Sequence, residues 1–200
     1  MNDTKEKIMQ VSAKLFSEKG YDKVTMREIA KSIGINSATI YHHFPSKNDI
    51  LRSLYAFYSA QRYREHPDFD ELMRLVETHP PHEVLRRSTF HFDEDIREML
   101  DAILVTAARG ICAEPESEQF IRENIFANIE NTLKPLLMRM LELKKIKPLD
   151  IDCFLGIVSY FCFSAAALSH SSFRQPPDEY YASMTQIFSL VVSNQNESDC

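Results

Sequence analysis

The sequence predicts an all-α protein of about nine helices, with a small three-helix N-terminal head and a larger helical body. Three observations predict it. Only four of the 200 residues are Gly, and the nine Pro fall between periodic segments, with Pro135 as the exception. Apolar residues recur at the spacing of amphipathic helices over most of the chain. Residues 24–47, VTMREIAKSIGINSATIYHHFPSK, hold two short capped helices, a tight glycine turn and a Pro-Ser step into a further helix.

The first helix is expected from about Asp3 to Lys19, where Asp3 and Glu6 have the spacing of a reciprocal cap. Ile8, Val11, Leu15 and Phe16 share one face, and Gly20 can take the left-handed conformation that closes a helix. The second helix begins at Thr25. Thr25 and Glu28 form a T-x-x-E capping box, and Val24 with Ile29 is placed as a hydrophobic staple. Ile29, Ala30 and Ile33 supply its buried stripe, and Gly34 ends it. Asn36 caps the third helix, Ile35 and Ile40 form its staple, and Ile40 and Phe44 share its buried side.

That leaves Ser37, Ala38, Thr39, Tyr41 and His42 outward, a set without carboxylates. A helix that lies near phosphates needs such a face, because like charge there would cost binding. Small Ser37 and Ala38 permit close approach to base edges, and Ala38 and Thr39 offer methyls to a thymine methyl. Two short helices joined by a glycine turn are the grammar of a helix-turn-helix, which lays its second helix in the DNA major groove. Any one of these caps marks only a helix start. The conjunction of three tight helices, a Gly turn and a carboxylate-free third helix points to DNA.

Ser46 caps a fourth helix reaching about Arg64, with Asp49 at its third position and Ile50, Leu51, Leu54, Tyr55 and Tyr58 on its apolar side. Lys47 in its first turn, beside free backbone N–H groups, makes an anion site suited to a phosphate. Residues 67–92 are poorly periodic and accommodate two short helices broken at Pro80–Pro81. Ile96, Met99, Leu100, Ile103, Leu104, Ala107, Ala108 and Ile111 form an amphipathic stripe that ends at Pro115. A long helix follows from about Ser117 to Lys145. Pro135 inside it has no N–H to donate and should kink or divide it. The last two helices are expected at about Asp150–Ser171 and Pro177–Ser193, and they carry more apolar surface than one monomer can cover, which suggests self-association. The domain reading is a head over 1–48, a body over 49–194 and a polar tail over 195–200.

The net charge of −6 argues against general nucleic-acid binding, but its distribution does not. Residues 1–50 carry eight Lys/Arg against six Asp/Glu, a net +2, and residues 51–200 carry 15 against 23, a net −8. A mildly basic head on an acidic body suits a small DNA footprint. Cys112, Cys153, Cys162 and Cys200 form no CxxC pair, and the N-terminus has no apolar signal core, so a reduced cytoplasmic chain is expected. The apolar run 153–168 is shorter than the roughly 20 residues that a bilayer needs, and it reads as a buried helix, with no membrane partner. No nucleophile–base constellation or metal spacing appears, so neither an enzyme nor a cofactor is expected. His91 with Asp93, Glu94 and Asp95 reads as a solvated charge run at a helix start rather than a metal site.

Taken together, Phe16, Gly20, Thr25, Ile29, Ala30, Gly34, Ile35, Ile40, Tyr41, Phe44 and Lys47 make about the first 50 residues resemble the TetR family of bacterial transcriptional regulators. The remainder resembles the family only in length and helical character. Ser32–Ile33 replaces the family's common Ala before the turn glycine, Ile35–Asn36 its usual Val-Ser, and Ala38 stands at a position that tends to vary with operator sequence. The resemblance implies that Arg27, Ser37, Ala38, Thr39, Tyr41 and His42 face the operator, and that Thr25, Tyr41 and Lys47 hold phosphates. It also implies a homodimer joined through the last two helices, and a small-molecule pocket in the body.

Candidates for the pocket are Tyr55, Tyr58, Phe90, Met99, Arg109 and Phe126, although core packing is the bland reading of each. Arg109, a cation on an apolar stripe, either pairs with a core carboxylate or meets an anionic ligand. The expected function is a ligand-responsive repressor that grips a palindromic operator as a dimer and is released by a small molecule. The alternative is a TetR-fold protein that acts through protein contacts without reading DNA.

Overall fold

The structure, a computed structural model, describes residues 3–65, 68–88, 94–168 and 186. Every element in them is helical: α1 Asp3–Lys19, a 3-10 turn Tyr21–Lys23, α2 Met26–Ser32, α3 Ser37–His43, α4 Lys47–Glu65, α5 Phe69–Thr78, α6 Pro81–Ser88, α7 Glu94–Gly110, α8 Pro115–Ile121, α9 Lys134–Glu142 and α10 Ile151–Leu168. They group into two compact units. The first holds α1 to α4 with α7 and α8; the second holds α5, α6, the segment from Glu123 through α9, and most of α10.

In the first unit α1 packs along α7. Ile8, Met9, Ser12, Ala13, Phe16 and Ser17 are buried on α1, whereas Val11 and Leu15 are only half-buried. The buried face is therefore turned towards small residues compared with the expected stripe. Ser12 and Ala13 on α1, and Ala102, Ala107 and Ala108 on α7, are buried small side chains of the kind that lets two helix backbones lie close.

Local chemistry closes each helix of the head. Gly20 has φ 93° and ψ 142°, so the positive φ that glycine tolerates is present without the left-handed helical geometry, and the chain passes at once into the 3-10 turn. A Cβ there would meet nothing within 4 Å, so the requirement lies in the backbone alone. Thr25 Oγ1 accepts the Glu28 N–H at 3.2 Å. At the other end of α2, Gly34 (φ 74°) allows the Ile35 N–H to reach the Ala30 carbonyl at 3.0 Å and its own N–H to reach Lys31 at 3.2 Å, a Schellman closure. Asn36 Oδ1 accepts the Thr39 N–H at 2.8 Å, and Ser46 and Asp49 exchange bonds of 3.1 and 2.6 Å at the start of α4.

The second unit is built around Leu72 and Val76 of α5, Leu85 of α6, Leu136 and Met140 of α9, and Phe154 of α10. Pro81 opens α6, where a missing N–H costs nothing. Pro135 falls inside the expected long helix, which stays helical without a break from Pro115 to Glu142. A π turn at Ile129–Leu133 runs directly into α9, and a second one spans Arg122–Phe126. Proline's ring and absent N–H disrupt the bond to the carbonyl four residues back, and the wider π turn accommodates that defect. Lys134 at the head of α9 pairs with Asp152 of α10 at 2.7 Å.

On α10, Phe154, Leu155 and Val158 are buried, while Ile157 is 55% and Tyr160 79% exposed. Among the described residues, one side of this helix, which reads as apolar all round, is buried and the other is exposed. No described helix is long and apolar enough to cross a membrane. The expected helix at Pro177–Ser193 and the tail lie outside the described residues, Gln186 apart.

After α9, the Lys145 N–H reaches the Met140 carbonyl at 2.9 Å and the Lys144 N–H reaches Leu141 at 3.0 Å, again a Schellman closure, but its left-handed residue is Lys144 at φ 55°. A side chain in that conformation costs about 1–2 kcal/mol, part of which glycine regains and part of which it loses to unfolded-state entropy. Lys144→Gly is expected to stabilise the protein by about 0.5–1 kcal/mol in urea unfolding, whereas Gly34→Ala should destabilise it by about 1 kcal/mol.

Candidate nucleic-acid interface

The three helices of the head turn their apolar sides inward. Phe16, Ile29 and Ile40 are fully buried, and Phe44 nearly so. Because Ile40 and Phe44 hold one side of α3 in that core, the opposite side is left in solvent. Ser37, Ala38, Tyr41 and His42 are exposed, Tyr41 to 50%, and α3 carries no acidic residue. Thr39 is half-buried, and its hydroxyl donates to Asn36 Oδ1 at 3.0 Å, which adds to the cap. His43, whose direction the sequence leaves open, is half-buried, with its ring 5.5 Å from that of His42 in an edge arrangement.

Thr25 and Arg27 at the start of α2 are exposed. Thr25 Oγ1 is occupied as the helix cap, which leaves its hydroxyl proton available to an external acceptor. Glu28 beside Arg27 is drawn to Lys19 at 2.5 Å instead. The Lys19 ammonium and the Thr25 N–H both hold the Glu28 carboxyl below its ordinary range. Lys47 differs from the expectation. Its ammonium is turned inward, donating to the Tyr21 carbonyl at 2.7 Å and sitting 4.1 Å from the Tyr21 ring centre. It is half-buried, and a phosphate would have to share it with Tyr21.

Residues 8–54 match the model for bacterial regulatory proteins of the tetR family. The HTH-type transcriptional regulator YerO of Bacillus subtilis is 32% identical over 114 residues, covering 57% of this chain and 38% of the relative. The negative regulator IcaR of the biofilm operon icaADBC in Staphylococcus aureus is 52% identical over 46 residues, covering 23% of this chain and 25% of the relative. The chain thus spans well under half the length of the curated relatives it matches. The TetR-family regulator PfmR of Thermus thermophilus is 25% identical and superposes with a TM-score of 0.62 over 91% of this chain and 97% of its own. The ketosteroid transcriptional regulator KstR2 of Mycobacterium tuberculosis shares the fold, with 20% identity and a TM-score of 0.65 over 96% and 97% of the two chains.

Residues 8–54 of the chain are thus similar to the TetR family's shared segment, and its fold is that of TetR-family regulators. Its relatives are transcriptional regulators rather than enzymes.

The residues expected to line an effector pocket are placed as follows. Tyr55 and Tyr58 of α4 are buried, and both rings pack on Phe120 of α8, at 4.3 Å stacked and 5.1 Å edge-on. Burial, relieved only in part by the bond to Ser117, pushes the Tyr55 hydroxyl well above its ordinary range. Met99 lines a shallow cleft with Met9, Phe57 and Ile96, flanked by Glu6 and Asp95. Arg109 lies exposed at the end of α7 and donates to the Ser17 carbonyl near the end of α1. Phe126 is 39% exposed in the second unit. Phe90, and the His91 and Asp93 of the charge run, fall outside the described residues.

Sequence reasoning missed a polar cluster beside the head. Glu116 accepts from Asn48 Nδ2 and from the Arg52 guanidinium, each at 2.9 Å, and these two donors hold its carboxyl down at about 2. Glu114 moves the opposite way, raised by burial and by the carboxylates of Asp22 and Glu116. Burial, then Glu114 and Glu116, pushes the Tyr21 hydroxyl up to about 12. Nothing local announces these contacts, since Glu116 lies 64 and 68 residues from its partners.

A carboxyl depressed in the folded state stabilises that state above its unfolded value of about 4.5, and this contribution is lost as the pH falls towards 2. Glu116→Gln is therefore expected to lower the urea midpoint at pH 6–7, with the difference from the parent chain shrinking to nothing by about pH 2. Glu114→Gln should raise the midpoint at pH 7 and leave it unchanged at pH 3, because it removes a carboxylate whose ionisation the fold opposes.

Proposed function

We propose that this chain is a ligand-responsive repressor of the TetR family that binds a palindromic operator as a homodimer. The observation that carries the reading is the outward face of α3: Ser37, Ala38, Tyr41 and His42 in solvent, no carboxylate among them, on a head that matches the family's DNA-binding domain. Exposed Thr25 and Arg27 at the start of α2 add a donor and a cation for the flanking phosphates. The name of IcaR, a negative regulator, supports repression over activation.

The dimer reading rests on α10, which leaves Ile157 and Tyr160 uncovered one turn apart. A twofold partner that covers them with its own copy would place two α3 helices on successive major grooves. Release by an effector is a population shift, limited by the effector's differential affinity for the two head spacings, typically about 1–3 kcal/mol. An effector near α4 would have to displace Phe120 from Tyr55 and Tyr58, so its entry and the packing of α4 on α8 compete for the same surface.

A gel shift on the DNA upstream of the chain's own gene tests DNA reading. The parent chain should bind at low salt, and Arg27→Ala with Tyr41→Ala should bind at least about tenfold more weakly. Arg27→Ala alone should reduce the salt slope of log affinity by about one if the guanidinium holds a phosphate. A parent chain that ignores this duplex and every other at 50 mM salt would refute the reading. For the dimer, sedimentation should show the parent chain at twice its monomer mass and an Ile157→Glu, Tyr160→Glu variant at monomer mass, with helicity retained.

A further inference from the structure

We propose that Glu116 is the positioning residue of the DNA-reading head: its carboxylate, gripped by Asn48 and Arg52, sets the rotation and height of α4 against α8 and so aims α3. The proposal rests on the reading of α3 as the element that meets DNA.

The geometry carries it as follows. Asn48 and Arg52 are four residues apart and stand on one side of the first turns of α4, immediately after α3. One carboxylate accepts from both at 2.9 Å. Sliding α4 by one residue moves both donors by about 1.5 Å, and the matching turn of about 100° swings them off the acceptor, so the pair reports translation and rotation together. The remaining contacts between α4 and α8 are less directional. Tyr55 and Tyr58 lean on Phe120 through ring faces and edges, which tolerate sliding, and a single hydroxyl bond of 2.8 Å joins Tyr55 to Ser117.

The acceptor itself is held in place. Glu116 lies in the first turn of α8, where the helix dipole favours its charge. A Cβ on Gly110 would come within 2.5 Å of Ser117 Oγ, so the end of α7 and the start of α8 are in close approach there. Arg109, one residue earlier, donates to the Ser17 carbonyl of α1. The corner that carries Glu116 is therefore tied to both ends of the head, to α1 through Arg109 and to the exit of α3 through Asn48 and Arg52. The charged groups around the clamp are Arg52 and Lys47 on α4, Asp22 and Tyr21 on the 3-10 turn, and Glu114 before α8. Asn48 and Arg52 donate to the Glu116 carboxylate, and its own backbone N–H adds a local donor.

The sign of one substitution separates positioning from charge. Glu116→Gln removes a negative charge from the neighbourhood of the head, and by long-range electrostatics alone it should tighten binding to any duplex. A positioning role demands the reverse. With a labelled duplex of the upstream region, Glu116→Gln is expected to weaken binding about tenfold, the order of one lost charge-assisted hydrogen bond, with an unchanged salt slope. Glu116→Arg and Arg52→Glu should each weaken it, and the double variant Arg52→Glu, Glu116→Arg should recover most of the loss.

Equal or tighter binding by Glu116→Gln would overturn the proposal. So would a swapped double variant weaker than either single one, since Arg52 would then be touching phosphate. A second arm needs no DNA: amide exchange over residues 47–54 should quicken in Glu116→Gln while exchange in α5 and α9 stays as in the parent, and an unchanged rate over 47–54 would also overturn it. If the parent chain binds no duplex, the proposed function fails by itself, and the exchange arm still decides whether the clamp exists.

Discussion

Two seven-residue helices cannot stand alone in water. The first turn of any helix costs more entropy than its one hydrogen bond returns, and below about 12–15 residues the balance stays unfavourable. α2 and α3 are each seven residues long. Their existence depends on the small core of Phe16, Ile29, Ile40 and Phe44, and on side chains or glycines that satisfy the orphan groups at their ends. The orientation of the exposed face follows from that constraint. Once Ile40 and Phe44 are committed inward, the helical period leaves Tyr41 and His42 no alternative to solvent.

The same economy governs the polar groups nearby. Lys47 serves the Tyr21 carbonyl and ring, Arg109 serves the Ser17 carbonyl, and Glu116 gathers two donors from α4. Each fastens the 3-10 turn, α1 or α4 at a point where a helix ends or begins and the backbone has groups to spare. Acidic residues dominate the chain, yet at α3 they are absent, and at α2 the one carboxylate, Glu28, is neutralised by Lys19. The head's surface is kept receptive to anions by placement rather than by an excess of cations.

The second unit solves a different problem. Its apolar cluster draws on α5, α6, α9 and α10, and a proline stands where a straight helix would otherwise run on. The π turn before Pro135 keeps the chain helical across the defect, so Leu133 and Leu136 both stay buried in the cluster. On α10, Phe154, Leu155 and Val158 join that cluster, whereas Ile157 and Tyr160 are exposed.

By itself the sequence determined the short helices of the head, the caps at Thr25, Asn36 and Ser46, and that Ser37, Ala38, Tyr41 and His42 look outward. These depend on neighbours three or four places away: Thr25 with Glu28, Asn36 with Thr39, Ser46 with Asp49. The break at Pro80–Pro81 and an irregularity near Pro135, seen as the π turn before it, were legible for the same reason, since proline acts on its own turn. Only the tertiary structure decided that α1 buries Ser12 and Ala13 rather than Val11, that Tyr55 and Tyr58 pack on Phe120, and that Arg109 reaches a carbonyl of α1. It also turned Lys47 to Tyr21 and set Glu116 against α4. Those partners lie 26, 64, 68 and 92 residues apart, and no local period records which distant face a helix will meet.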